Sequence, residues 1–156
     1  MIDWLREQTE ATDPVWQWLF LILAGAIPYV ESYIGSAVGV VAGVNPVVAI
    51  GAAVLGNIAS MVLLVVFAER IRHWRKSDDK PLSSRQQKFK RSFDRYGIAG
   101  VSLLGQTLLP SQLTSMAIVA FGAQKRAVIG WQTASIIRWG AAFGVLAVFG
   151  VGALAG

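Results

Sequence analysis

The chain contains no cysteine and a single histidine, His73. The first absence excludes disulfides, thiolate metal sites, thioether haem attachment and a catalytic thiol; the second excludes multi-histidine metal centres. Charge is also scarce: 15% of the 156 residues are Asp, Glu, Lys or Arg, against about 25% in ordinary soluble domains. With 54% hydrophobic residues and a mean hydropathy of +0.54, disorder is excluded and a water-soluble globule is disfavoured. The sequence has no Gly-rich phosphate cradle with lysine, no Ser/His/Asp arrangement and no metal-ligand spacing. An enzyme is therefore not expected, and neither is a cofactor. A signal peptide is not expected either, because the N-terminus is acidic and lacks a positive leader. The length implies one domain over residues 1–156.

What charge there is lies in blocks. Between Glu69 and Arg95 stand ten basic and four acidic residues, whereas Met1 to Asp13 holds Arg6 against Asp3, Glu7, Glu10 and Asp13. A basic block between apolar runs is the mark of a cytoplasmic loop, so the net charge of +5 argues for a membrane rather than for nucleic acid as partner.

A spanning helix needs about 20 apolar residues. Pro46 to Ala68 supplies 23 without a charge, and Ala127 to Gly156 is apolar except for Gln132, Thr133, Ser135 and Arg138. The other apolar stretches are broken. Val15–Val30 and Ser32–Val44 are separated by Glu31 just after Pro28, and Tyr96–Leu109 and Ser111–Ala123 are separated by Pro110. Two architectures compete: four plain spans, or two repeats of a re-entrant hairpin followed by one true span. Plain spans put the acidic N-terminus beside the basic loop and strand Lys125 and Arg126 on the opposite side, against the positive-inside bias. Hairpins that enter and leave on one face put the N-terminus outside and both basic clusters inside.

The expected fold is thus an all-α integral membrane protein of the bacterial cytoplasmic (inner) membrane. It comprises an acidic segment (1–13), re-entrant hairpin 1 (15–44), a transmembrane helix (46–68), a basic cytoplasmic loop (69–95), re-entrant hairpin 2 (96–123) and a second transmembrane helix (127–155). An offset of 82 residues lays Ile27-Pro28 on Leu109-Pro110 and Ser32 on Thr114. Two units joined by an odd number of crossings are antiparallel, so the repeat is expected to be inverted. Within the loop, Ser83 and Ser84 followed by Gln86 and Gln87 read as a capping box opening a helix to about Tyr96. Its Phe89, Phe93 and Tyr96 stripe among Arg85, Lys88, Lys90, Arg91 and Arg95 suits an anionic inner leaflet; a solvated tether is the plainer reading. Asp13 before Pro14 suits an N-cap opening the first hydrophobic helix.

Two ionisable residues fall inside the apolar segments, Glu31 and Arg138, and each is a functional candidate because charge there is expensive. Glu31, flanked by Tyr29, Ser32 and Tyr33, is the candidate proton or cation acceptor. Arg138, deep in the last span, is expected to face the protein interior and suits either Glu31 or a phosphate. A pairing of the two that merely locks the fold is the structural alternative. Around Pro110, Gln106, Thr107, Ser111 and Gln112 offer polar groups for a substrate or lipid head group, or for ordinary interhelical hydrogen bonds. Asn57 reads as interhelical glue. Gly35, Gly39 and Gly43, with Gly140 and Gly144, form small-residue faces suited to internal packing or to a homodimer.

The runs Gly25-Ala-Ile-Pro28-Tyr-Val-Glu31-Ser32 with Gly35, Ala52-Ala-Val-Leu-Gly56-Asn57, and Gly105-Gln-Thr-Leu-Leu-Pro110-Ser-Gln112 resemble the small multidrug export family of bacterial membrane proteins, in its actinobacterial form, a distant relative of the DedA-type proteins. The resemblance covers about residues 20 to 155. It implies paired re-entrant hairpins, broken at Pro28 and Pro110, and a transport role. The chain departs from longer DedA-type proteins in having only Glu31 and Arg138 as intramembrane charges, and it lacks the glycine-rich continuation after the second proline. The leading expectation is a small secondary transporter exporting amphipathic compounds. The alternatives are a DedA-like flippase for a phosphate-bearing lipid carrier, and a non-transporting accessory subunit that docks a membrane-protein partner.

Overall fold

A computed structural model describes residues 1–74, 84–105 and 109–155. All regular secondary structure among them is helical: α1 (Ile2–Ala11), α2 (Gln17–Ala26), α3 (Glu31–Val41), α4 (Pro46–Trp74), α5 (Ser84–Gly105), α6 (Ser111–Ala120) and α7 (Lys125–Ala155). Two helices are long and apolar enough to cross a membrane, over Pro46–Ile71 and Lys125–Leu154. By contrast α2, α3 and α6 have 10, 11 and 10 residues. At about 1.5 Å per residue they reach only half of a hydrocarbon core of about 30 Å. Among the described residues two helices, not four, reach spanning length.

The chain forms two compact units, Met1–Ser60 with Ile136–Gly156, and Met61–Ser135. In the first, glycines set the register. Gly25 lies on Gly35 and Leu21 on Gly39, so α2 and α3 run antiparallel as a helical hairpin. A Cβ on Gly25 would run into the Ala53 carbonyl, and one on Gly56 into the Ile22 carbonyl, which places α2 backbone against α4 backbone. Gly140 rests on Val54 and Ser32, and Gly144 on Ile50 and Ser36. Four of the five glycines singled out by spacing thus serve packing within the unit, the contact that lets helices approach without help from water. Leu21, Val40, Val44, Ala49 and Ala52 fill the interior beside them.

The acidic N-terminal segment is itself a packed helix. Leu5 of α1 is buried with Ala24, Val30 and Val38, flanked by Phe20 and Ile34. Trp4 tilts onto Phe20 at 6.5 Å between centroids, and Gln17 Nε2 donates to the Thr9 carbonyl at 3.1 Å. Asp13 does act as a cap, but of a turn. Its Oδ1 accepts from the Val15 N–H at 2.9 Å, and α2 opens only at Gln17.

In the second unit α4 continues past Ala68 through Glu69 to Trp74, so the basic loop begins as helix. Glu69 pairs with Lys125 at the start of α7. The helix expected to end near Tyr96 does so: α5 opens at Ser84 and is broken at Gly97 (φ 65°, ψ −172°), a conformation that essentially only glycine adopts. Ser83 of the expected capping box lies outside the described residues.

Both short helices that follow a proline end in the same way. Gly43 (φ 82°) donates to Val40 O and Val44 to Gly39 O, each at 3.0 Å; Gly122 (φ 97°) donates to Val119 O at 3.0 Å and Ala123 to Ile118 O at 3.2 Å. These are Schellman closures, which need a left-handed residue after the helix. Two residues follow each glycine, Val44-Asn45 and Ala123-Gln124, before α4 or α7 begins. The offset slides from 82 at the prolines to 79 at the glycines. Two of the three residues are lost between proline and helix, and the third because α6 is one residue shorter than α3.

Candidate functional site

In the first unit, α2 stops where Pro28 follows Ile27, since proline cannot continue the helical hydrogen bonds and restricts the residue before it. The turn that results is strained. Tyr29 (φ 73°) and Glu31 (φ 52°) both occupy the left-handed region, at about 1–3 kcal/mol each for a residue with a Cβ. Val30 between them is buried in the cluster that holds Leu5. Glu31 is the first residue of α3 and is fully buried. A carboxylate at a helix N-terminus is favoured by the helix dipole, which offsets part of the desolvation that burial imposes.

The neighbouring hydroxyls do not all turn toward it. Ser32, also fully buried, donates through Oγ to the Ile136 carbonyl of α7 at 2.9 Å. Tyr33 donates to the Tyr29 carbonyl at 3.5 Å and meets the Phe143 ring edge-on at 5.3 Å. The Tyr29 side chain is 59% exposed, and Pro28 is exposed.

Arg138 corrects the expectation of an inward side chain. It is exposed, with its guanidinium 5.2 Å from the centroid of the Trp139 ring. Ile136, Gly140 and Gly144 mark the packed face of α7. A residue two positions from Ile136 or Gly140 is rotated about 200° at 3.6 residues per turn, onto the opposite side. That spacing was readable in the sequence.

The second unit holds a different chemistry. Pro110 is buried and opens α6 as its N-cap without a side-chain cap. Ser111, Gln112, Thr114 and Ser115 are all fully buried. Ser111 Oγ donates to Gln112 Oε1 at 3.3 Å, Ser115 Oγ to the Ser111 carbonyl at 2.7 Å, and Thr114 Oγ1 to the Leu109 carbonyl at 3.5 Å. Gln106 and Thr107 lie outside the described residues. No protein-family model, curated protein or solved structure matches the chain. What its site can do must come from the geometry.

Sequence reasoning missed part of that geometry. Gln132 and Ser135 of α7 and Ser102 of α5 are fully buried, and Gln132 Nε2 donates to the Ser111 carbonyl at 3.2 Å. In the sequence they look like isolated exceptions in apolar runs. In the first unit Ser36, one turn beyond Ser32, is likewise buried. Asn57 is fully buried within α4, and its backbone carbonyl accepts from Ser60 Oγ of the same helix at 3.0 Å.

Proposed function

We propose that this chain is a small secondary transporter of the bacterial cytoplasmic membrane, exporting amphipathic compounds with Glu31 as proton or cation acceptor. One observation carries the reading: a single carboxylate, fully buried, at the strained tip of an apolar helical hairpin. A purely structural acid has no need of a left-handed backbone at itself and again at Tyr29, whereas strained backbone concentrates where geometry serves function.

A membrane setting is supported by α7, whose apolar window is only 17% buried within the chain. A core helix of a water-soluble protein would be mostly covered. The re-entrant reading is supported by helices of half the needed length. The inverted repeat is supported by the shared order of proline, short helix, Schellman glycine and long apolar helix in both halves of the sequence. The basic face of α5, with Lys88, Lys90, Arg91, Arg95 and Tyr96 exposed, suits an anionic inner leaflet.

Reconstituted into proteoliposomes with an imposed proton gradient, the Glu31→Gln variant should lose at least 100-fold in export of a lipophilic dye while keeping its thermal unfolding midpoint. Transport at the wild-type rate would refute the role of Glu31.

A second reading is favoured by Arg138, an exposed guanidinium midway along the last apolar helix. A guanidinium exposed there suits a phosphate on a lipid carrier, to which it can donate paired hydrogen bonds. If wild-type protein retains a polyprenyl phosphate through purification and Arg138→Ala does not, lipid-carrier flipping replaces dye export as the activity.

A further inference from the structure

In the first unit α3 and α4 pack in a register that repeats turn by turn. A Cβ at Gly39 would fall 2.8 Å from Ala49 Cβ, and one at Gly35 would fall 3.0 Å from Ala53 Cβ. Ala49 and Ala53 are fully buried, so residues four apart along α4 form the face turned to α3. One further turn along both helices, in their opposite directions, brings Glu31 level with Asn57, each fully buried. α7 gives the same order from its own side, since Gly144 meets Ser36 and Ile50, and Gly140 meets Ser32 and Val54.

Among the described residues of this unit the fully buried polar side chains are Thr9, Glu31, Ser32, Ser36 and Asn57. Thr9 donates to the Leu5 carbonyl at 2.7 Å, at the end of the hairpin remote from Pro28. Ser32 donates to the Ile136 carbonyl, and Ser36 lies a turn deeper, beside Gly144. Asn57 is the polar side chain that α4 brings to the level of the acid. Ionisable groups are scarce around them: α2, and α4 as far as Ser60, contain none. Arg138 of α7 and the charged residues of α1 are exposed, and the Tyr33 hydroxyl is turned to the Tyr29 carbonyl.

A carboxyl in an apolar layer needs a partner in each of its states. Ionised, it accepts hydrogen bonds; protonated, it also donates one. A primary amide can serve both, because its NH2 donates and its oxygen accepts. We infer that Asn57 is the positioning residue for Glu31, holding the carboxyl in place as it takes up and gives up a proton or cation. The inference rests on the reading of Glu31 as that acceptor and names the residue through which α4 takes part.

Asn45 and Asn57 are the only asparagines in the chain. Asn45 is exposed, and its Oδ1 accepts from the Val47 N–H at 3.0 Å. Full-length protein in lipid nanodiscs, labelled with nitrogen-15 at asparagine side chains, therefore gives two amide signals, one of them an internal control. They are told apart by Asn45→Ser, which keeps a capping oxygen. The Asn57 signal should move with pH along a sigmoid and lose that response in Glu31→Gln, while the Asn45 signal responds in neither protein. In proteoliposomes Asn57→Leu should lose at least about tenfold in dye export, as for one hydrogen bond to a charged group.

An Asn57 signal that stays flat with pH, or whose response survives Glu31→Gln, would overturn the inference. So would export by Asn57→Leu at the wild-type rate. If the leucine variant does not fold, the amide signals decide alone, since they need no change at Asn57. Conversely, coupled Glu31 and Asn57 in a protein whose Glu31→Gln variant exports dye at full rate would defeat the transport reading and leave the pairing standing.

Discussion

The two proline-interrupted segments share a frame and differ in nearly everything placed on it. Each leads from a proline into a helix of 10 or 11 residues, closes on a left-handed glycine and, two residues later, starts a long apolar helix. The first is built by backbone contact through glycines, has one buried acid, and is overlaid by α1. The second holds its first turn with hydroxyls and amides, among which no acid stands. The frame depends on a few backbone-dictating residues, while the chemistry at the tip is free to diverge.

That contrast can be broken most severely at Gly25. Valine there must push against the Ala53 carbonyl, and backbone cannot yield as a flexible side chain does. Gly25→Val should cost at least about 3 kcal/mol, measured by thermal unfolding in detergent. Gly130→Val in the other unit meets nothing within 4 Å and should stay within about 0.5 kcal/mol of wild type. Equal losses would mean that close backbone packing is not peculiar to the first hairpin.

Next in size is the overlay by α1. Leu5→Ala removes a buried side chain from the cluster with Ala24, Val30 and Val38, at about 2–5 kcal/mol. Tryptic cleavage after Arg6, which sits on the same helix, should accelerate markedly. An unchanged cleavage rate would show that α1 is not held by this contact.

The frame itself predicts a matched pair. Gly43→Ala and Gly122→Ala each force a Cβ into the left-handed region, at about 1–2 kcal/mol. The two costs should agree to within about 0.5 kcal/mol, and unequal values would argue that the closures are alike in geometry but not in load.

Much of the frame was legible beforehand. Length alone identified the two long apolar helices, proline marked both interruptions, and the stripe ending at Tyr96 located the break that Gly97 makes. Other features were hidden for physical reasons. The helix α1 exposes most of its residues and buries Leu5 and Thr9, too sparse a pattern to stand out from an acidic segment. α4 runs on to Trp74 because a helical backbone is indifferent to the charges at which hydropathy stops. Left-handed Tyr29 and Glu31 could not be read at all, since nothing in a non-glycine residue advertises a positive φ. Gln132 shows in the sequence only as an exception in an apolar run, because its partner lies 21 positions away.

The break at Gly97 has a mechanical side. An unbroken α5 would be a single lever, and any tilt of its basic arm would pry at the segment leading to α6. With helical geometry interrupted at Gly97, the basic arm before it and the turns after it need not share one axis.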